Sequence, residues 1–193
     1  MGGVLKRFQE WWDLLIKLGP LFGYFPLAAK TFLLVKPAMY EEAVKVFRNT
    51  GVEITYTGRR YLGGALGSRE FEMNMLQEKV THWVSEIEQL SKIGRTQPHA
   101  AYAAFTHGLL GRWTYAMRVS AVSTDEILKP LEEAISQVLI PALTMQPAPS
   151  KTTRDVLALP ECWGGMRLVN PVHWSKQQHV TSATACRPAV PLR

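Results

Sequence analysis

Phe8, Trp11, Trp12, Leu15 and Leu18 recur at three- and four-residue steps, which puts them on one face of a helix predicted over Val4 to Leu18. Gly19-Pro20 stops that helix, since glycine frees its end and proline cannot continue it. Thr31 to Val35 is an apolar run of strand length, broken by Lys36-Pro37. Helical spacing returns from Tyr40 to Arg48 through Ala43, Val44 and Phe47, and Asn49-Thr50-Gly51 closes it. Val52 to Tyr56 alternates like a half-buried strand. Thr57-Gly58-Arg59 then predicts a hairpin turn, Arg60-Tyr61-Leu62 the returning strand, and Gly63 to Gly67 a flexible exit loop.

After Ser68 the period changes and stays helical. Ser68 is placed to cap a long helix that runs through Met75, Leu76, Val80, Trp83, Ile87 and Leu90 to about Ile93. Pro98 opens the next helix, to about Leu110, with a break at Gly111 and more helix through Met117. His107, ahead of Gly108, reads as a residue at a helix end. Ser123-Thr124-Asp125-Glu126 is a helix-start signature ahead of Ile127, Leu131, Ile135 and Leu139. Met145 to Ser150, with two prolines, reads as a linker. A short helix near Val156, a turn at Gly164-Gly165 and a polar end frayed from about Ser182 complete the expectation. The fold class is therefore α+β: a small strand and hairpin region first, then a mainly helical bundle.

Composition narrows this only a little. The 193 residues are 47% hydrophobic and 20% charged, enough to bury a core. Two cysteines exclude a disulfide-stapled scaffold. The apolar start is too short and too charged, with Glu10, Asp13 and Lys17, to span a membrane, so the expected compartment is cytoplasmic or nuclear. Lys and Arg exceed Asp and Glu by 22 to 16, a net +6 that mildly favours an anionic partner.

The candidate chemistry is sparse. Gly63 to Gly67 beside Arg59 and Arg60 brings backbone and guanidinium donors together, but it lacks the Gly-Lys-Ser/Thr of a phosphate loop. Lys30, between the Gly23-Tyr24-Phe25-Pro26 loop and a strand, reads as an exposed loop lysine that a phosphate could meet. No histidine or cysteine set has metal spacing, and Cys162 beside Trp163 reads as core. Arg59, Arg60 and Tyr61, and then Arg95, Arg112, Trp113, Tyr115 and Arg118, interleave basic and aromatic residues as a nucleic-acid surface does. Arg112, Tyr115 and Arg118 step by three and can share a helix face; arginines snorkelling over core aromatics would give the same pattern.

Several segments resemble one family in order. Phe8 to Asp13, Gly19 to Pro26 and Lys30 to Lys36 are similar to the stretch that follows the catalytic Asp-Asp strand of animal retroelement reverse transcriptases. Gly51 to Thr55 with Gly58 to Ser68 resembles the palm hairpin beside the primer end. Gln97 to Thr106 with Trp113-Thr114-Tyr115 resembles the helical region behind it, and Leu159-Pro160, Gly164-Gly165 and Asn170-Pro171 a motif further downstream. The resemblance spans roughly Leu5 to Pro171. It implies a palm edge over residues 1–67, a thumb-like helical part over 68–145, and a linker with the downstream motif over 146–193. It places Lys30 on the lysine near the incoming triphosphate, and Tyr61, Leu62 and Gly63 on the primer-gripping turn.

In the family, paired aspartates bind two Mg²⁺ for attack by the primer hydroxyl. The resemblance puts them upstream of Met1. The chain is thus expected to hold no cofactor itself, to be non-catalytic alone, and to hold an RNA–DNA or DNA primer–template together with the missing N-terminal half of the polymerase. Leu27, Cys162 and Arg167 depart from the family, where Asn, Arg and Gly respectively are usual. The competing expectation is a non-enzymatic helical interaction module, or a decayed remnant of the element.

Overall fold

The computed structural model describes residues 2–120 and 125–186. The chain is α+β and divides into two compact units, Met1–Phe71 and Glu72–Arg193.

The first unit opens with α1 (Gly2–Leu18). Leu5 and Trp12 are its buried residues, with Ala43 and Phe47 buried on the neighbouring segment. Of the apolar residues spaced along one face, Trp12 is buried, whereas Phe8, Trp11 and Leu18 are exposed. Gly19–Phe22 continues the chain as a 3₁₀ turn. A side chain at Gly19 would meet the Tyr24 carbonyl oxygen at 2.7 Å, so only glycine fits where the loop folds back.

Strand β1 (Phe32–Leu34), helix α2 (Tyr40–Val46) and strand β2 (Glu53–Thr55) form a parallel β-α-β unit with Phe32 opposite Glu53. Tyr40 packs edge-on against Tyr56, with centroids 5.1 Å apart. Thr50 accepts the Val52 amide through its hydroxyl and donates that hydroxyl to the Phe47 carbonyl, which shapes the turn before Gly51 at φ +71°.

The hairpin is not the one the alternation predicts. Val52 to Tyr56 does not pair with Arg60 to Leu62. Instead β3 (Gly58–Tyr61) pairs antiparallel with β4 (Gly64–Gly67), the segment expected to be a flexible loop. Leu62 and Gly63 form the two-residue turn, both at positive φ (46° and 79°). That geometry matches the twist of the flanking strands. It frees β2 to run beside β1, with Leu33 opposite Ile54.

In the second unit, α3 (Arg69–Gly94) starts where expected, with the Ser68 hydroxyl oxygen accepting the Phe71 amide at 3.2 Å. Helices α4 (Pro98–Ala103) and α5 (Leu110–Val119) are joined without a break by a π-turn over Ala104–Leu109. Gly111 thus lies inside α5, and His107 lies inside the wide turn rather than at a helix end. A second π-turn, Ile135–Leu139, joins α6 (Asp125–Ala134) to α7 (Ile140–Thr144). Pro141 has no N–H for an α-type bond, and a wide turn just before it relieves the loss.

Helix α8 (Lys151–Ala158) is capped by Ser150, and α9 (Pro171–Ala185) by Asn170, whose Oδ1 accepts the Val172 and His173 amides. Helix α9 runs past Ser182, where fraying was expected, because its inward residues Pro171, Ser175 and Gln178 are buried and hold it down. The expected start signal at Ser123-Thr124 lies outside the described residues. The core gathers Trp83, Ile87, Phe105, Trp113, Leu128, Ile135 and Leu139 with Leu168 and Val169 of the loop before α9. Trp113 is wholly buried against Trp83 and Phe105, with centroids 5.9 and 5.4 Å away.

Candidate nucleic-acid interface

In the first unit, strand β3 and its turn collect Arg59, Arg60, Tyr61, Leu62 and Gly63 in one hairpin. Gly58 and Gly67, opposite each other at its open end, both sit at positive φ (157° and 156°). A Cβ on Gly58 would come within 2.4 Å of the Phe71 ring, and one on Gly67 within 2.3 Å of the Gly58 Cα. The hairpin is thus closed by two glycines pressed together over an aromatic ring.

The side chains on the hairpin have different commitments. The Arg59 guanidinium donates to Glu53 Oε1 at 2.7 Å, and both groups are about half exposed. Tyr61 lies edge-on to Phe32, 6.2 Å between centroids, and leaves half its surface open. Leu62 is 74% exposed at the tip, and Arg60 and Gly63 are exposed beside it.

A leucine at φ +46° holds a backbone conformation that disfavours a Cβ by about 1–2 kcal/mol. Leu62→Asn, which tolerates that conformation, is expected to stabilise the hairpin by about 1 kcal/mol. Slower hydrogen exchange of the β3 and β4 amides would show it; unchanged or faster exchange would count against the strain.

Lys30 is exposed at the end of a 3₁₀ turn, Ala28–Lys30, just before β1. Lys30 and the hairpin belong to one unit. Ten of the 22 Lys and Arg and six of the 16 Asp and Glu fall in residues 1–71, so most of the net positive charge lies there.

In the second unit Arg112, Tyr115 and Arg118 all project from α5, and all three are exposed. Their arginines are tied in different directions. Arg112 donates to Glu86 on α3 at 2.7 Å, and Arg118 donates through Nε to the buried Gln178 on α9 at 2.7 Å. Glu86 also has His82 at 3.4 Å. The shared face is therefore in part a seam stitching α5 to its two neighbours.

Sequence reasoning missed a second feature, an open groove of about 860 Å³ between α8, α9 and the loop joining them. Trp163, Trp174, Arg167, His173, Asp155 and Glu161 face it. Cys162, expected in the core, is exposed on its lip beside Trp163, itself 73% exposed. They sit on the short Glu161–Trp163 3₁₀ turn, which the left-handed Gly164 (φ 79°) closes. Tyr102 shares its hydroxyl proton between Glu161 Oε1 (3.1 Å) and the Met166 carbonyl (2.9 Å). Burial, and then the Glu161 carboxylate, push the Tyr102 phenol above its ordinary value.

Beneath the groove Arg154, 6% exposed, holds Glu132 and the carbonyls of Leu168 and Val169. No local motif marks that arginine in the sequence, because its partners lie 14 to 22 residues away.

Among the described residues no group of three or more His, Cys, Asp or Glu is placed to hold a metal ion. No helix among them is long and apolar enough to cross a membrane. No family model matches the chain, and neither a curated protein nor a solved structure does.

Proposed function

We propose that this chain is the C-terminal palm edge and thumb-like part of a retroelement reverse transcriptase, and that its own task is to hold a primer–template duplex. The observation that carries the reading is the β3–β4 hairpin. Gly51 to Thr55 with Gly58 to Ser68 resembles the family's palm hairpin; the second of these segments is itself a tight two-stranded hairpin with Tyr61, Leu62 and Gly63 at its turn, while the strand in the first pairs with β1. A second observation supports it. Arg167 takes φ +50°, a conformation open to glycine, at the position where the family usually has glycine.

On this reading Arg60 and Arg59 meet duplex phosphates, while Tyr61 and Leu62 lie against the sugar and base edges of the primer end. Arg112, Tyr115 and Arg118 would add contacts from the helical part. Lys30 is the candidate for the triphosphate side. On this reading the family's paired aspartates and their Mg²⁺, which carry DNA synthesis there, are not matched by residues of this chain, and the task proposed for it is to hold the duplex. The competing reading, a helical protein-interaction module, draws on the exposed aromatic side chains of α1.

The test is binding of the full chain to a labelled RNA–DNA duplex by fluorescence anisotropy across a salt series. Neutralising three phosphates predicts a log–log slope of about −2 to −3, through counterion release. Arg60→Ala is expected to make the slope shallower by about one and to weaken binding evenly across sequences. No measurable binding at low salt, or a slope that Arg60→Ala leaves unchanged, would remove the hairpin from the interface.

A further inference from the structure

Helix α1 is apolar around more than half of its circumference, and its own unit uses only part of that surface. Leu5 and Trp12 are buried, whereas Val4, Trp11, Leu14 and Leu18 are exposed, as is Leu21 in the 3₁₀ turn that continues the helix. The exposed residues have a period. Val4, Trp11 and Leu18 are spaced by seven, and so are Arg7, Leu14 and Leu21, three positions later. Two such series, offset by three, form the seam along which one helix packs on another.

The seam also contains a hole. Trp11, Leu14, Leu15 and Leu18, at i, i+3, i+4 and i+7, line a cavity of about 350 Å³, with Phe22 at its end. Four residues at those spacings make the socket that receives one side chain of a facing helix.

The charges beside the seam say what faces it. Glu10 and Lys17 flank it on one side, seven residues apart and opposite in sign. When two copies of α1 lie antiparallel about a two-fold axis, Trp11 of each copy stands opposite Leu14 of the other. Val4 then stands opposite Leu21, and Glu10 of each copy meets Lys17 of the other, twice over by symmetry. In a parallel pair Glu10 would face the apolar Leu15 position instead, and Lys17 the apolar Phe22. Arg7, at the end of the seam, can lay its stem over the facing Leu18 and keep its charge in water.

We propose that the chain self-associates into a two-fold dimer through antiparallel packing of α1, with Trp11 of each copy seated in the socket of the other and reciprocal Glu10–Lys17 ion pairs fixing the direction. This inference does not depend on the nucleic-acid reading.

The test is sedimentation of the full chain over a dilution series reaching about 100 μM, a range in which mass action shows a weak dimer. The expected species is a dimer of about 43 kDa, twice the 21.7 kDa chain. Glu10→Lys or Lys17→Glu alone turns two attractions into two repulsions and should raise the dissociation constant about 10-fold, while the double exchange should return it to within about 3-fold of the parent. Both positions are exposed, and circular dichroism of each variant checks that the chain still folds. Trp11→Glu should leave only monomer. A chain that is monomeric throughout the series overturns the proposal. So does a dimer that ignores the charge exchanges, or a monomer whose Trp11 face instead binds vesicles of anionic lipid.

Discussion

Replacing Arg154 by alanine is expected to destabilise the helical unit by about 3–5 kcal/mol, which is the usual consequence of removing one partner from a buried ion pair. Arg154 donates Nε and Nη2 to the two oxygens of Glu132, both at 2.7 Å, Nη1 to the Leu168 carbonyl and Nη2 also to the Val169 carbonyl. Its side chain is 7% exposed and that of Glu132 19%, so water would reach the orphaned carboxylate poorly. Leu168 and Val169 are themselves core residues, and losing their anchor loosens the floor of the groove above.

A domain of this size holds only about 5–15 kcal/mol in all, so the variant should unfold at much lower urea than the parent. Arg154→Lys is not expected to rescue it, because an ammonium cannot present the planar fork that reaches a carboxylate and two carbonyls together. Arg154→Met combined with Glu132→Leu should be less damaging than Arg154→Ala alone, since no charge is left unpaired. Urea unfolding followed by tryptophan fluorescence measures all three. A loss below about 1 kcal/mol for Arg154→Ala would mean that the pair is no more than a surface contact.

Gly67→Ala is expected to open the hairpin while leaving the helices intact. The new methyl would stand 2.3 Å from the Gly58 Cα and 2.5 Å from the Thr57 carbonyl oxygen, both backbone atoms that cannot step aside. The positive φ adds strain of its own, of about 1–3 kcal/mol. A lone two-stranded hairpin is at best marginally stable, so that strain is enough to separate β3 from β4. The result to look for is loss of hydrogen-exchange protection at the β3 and β4 amides with the helical circular dichroism unchanged. Duplex affinity should fall about 10-fold or more with it, since Arg60, Tyr61 and Leu62 would no longer share a fixed frame. Binding at parental strength by a chain with an open hairpin would separate the hairpin from the function proposed for it.

The hairpin also marks where the sequence ceases to be legible. The α3 start was readable because Ser68 is a good cap and the apolar period behind it is long. The β1 and β2 segments were readable as strands, but their partners were not. Thr57-Gly58-Arg59 carries the usual turn residue, whereas the real turn puts leucine at a left-handed position that residue preference argues against. Gly63 to Gly67 looked flexible because glycine has low strand propensity. Its glycines are there for close approach to another backbone, which no local pattern announces.

At the candidate interface, the interleaving of Arg59 and Arg60 with Tyr61 is visible in the sequence. The ties of Arg112 to Glu86 and of Arg118 to Gln178 are not, because they join positions 26 and 60 residues apart. Arg154 escaped notice for the same reason. Residue type points Cys162 inward, whereas it stands exposed on a short 3₁₀ turn.

The two π-turns set a phase. Each holds one residue more than an α-turn of the same height, and each residue advances a helix by about 100°. Trp113 enters the core and Arg112 reaches α3 only because that extra step has been taken before α5 begins. A helical wheel drawn straight through from Pro98 therefore puts the exposed Arg112 on the face of the buried Phe105. Phase is also indivisible: a substitution leaves it unchanged, whereas adding or removing one residue changes it by a whole step. Along these two rods, descent with altered side chains is open and descent with altered length is closed, unless the loop that follows absorbs the difference.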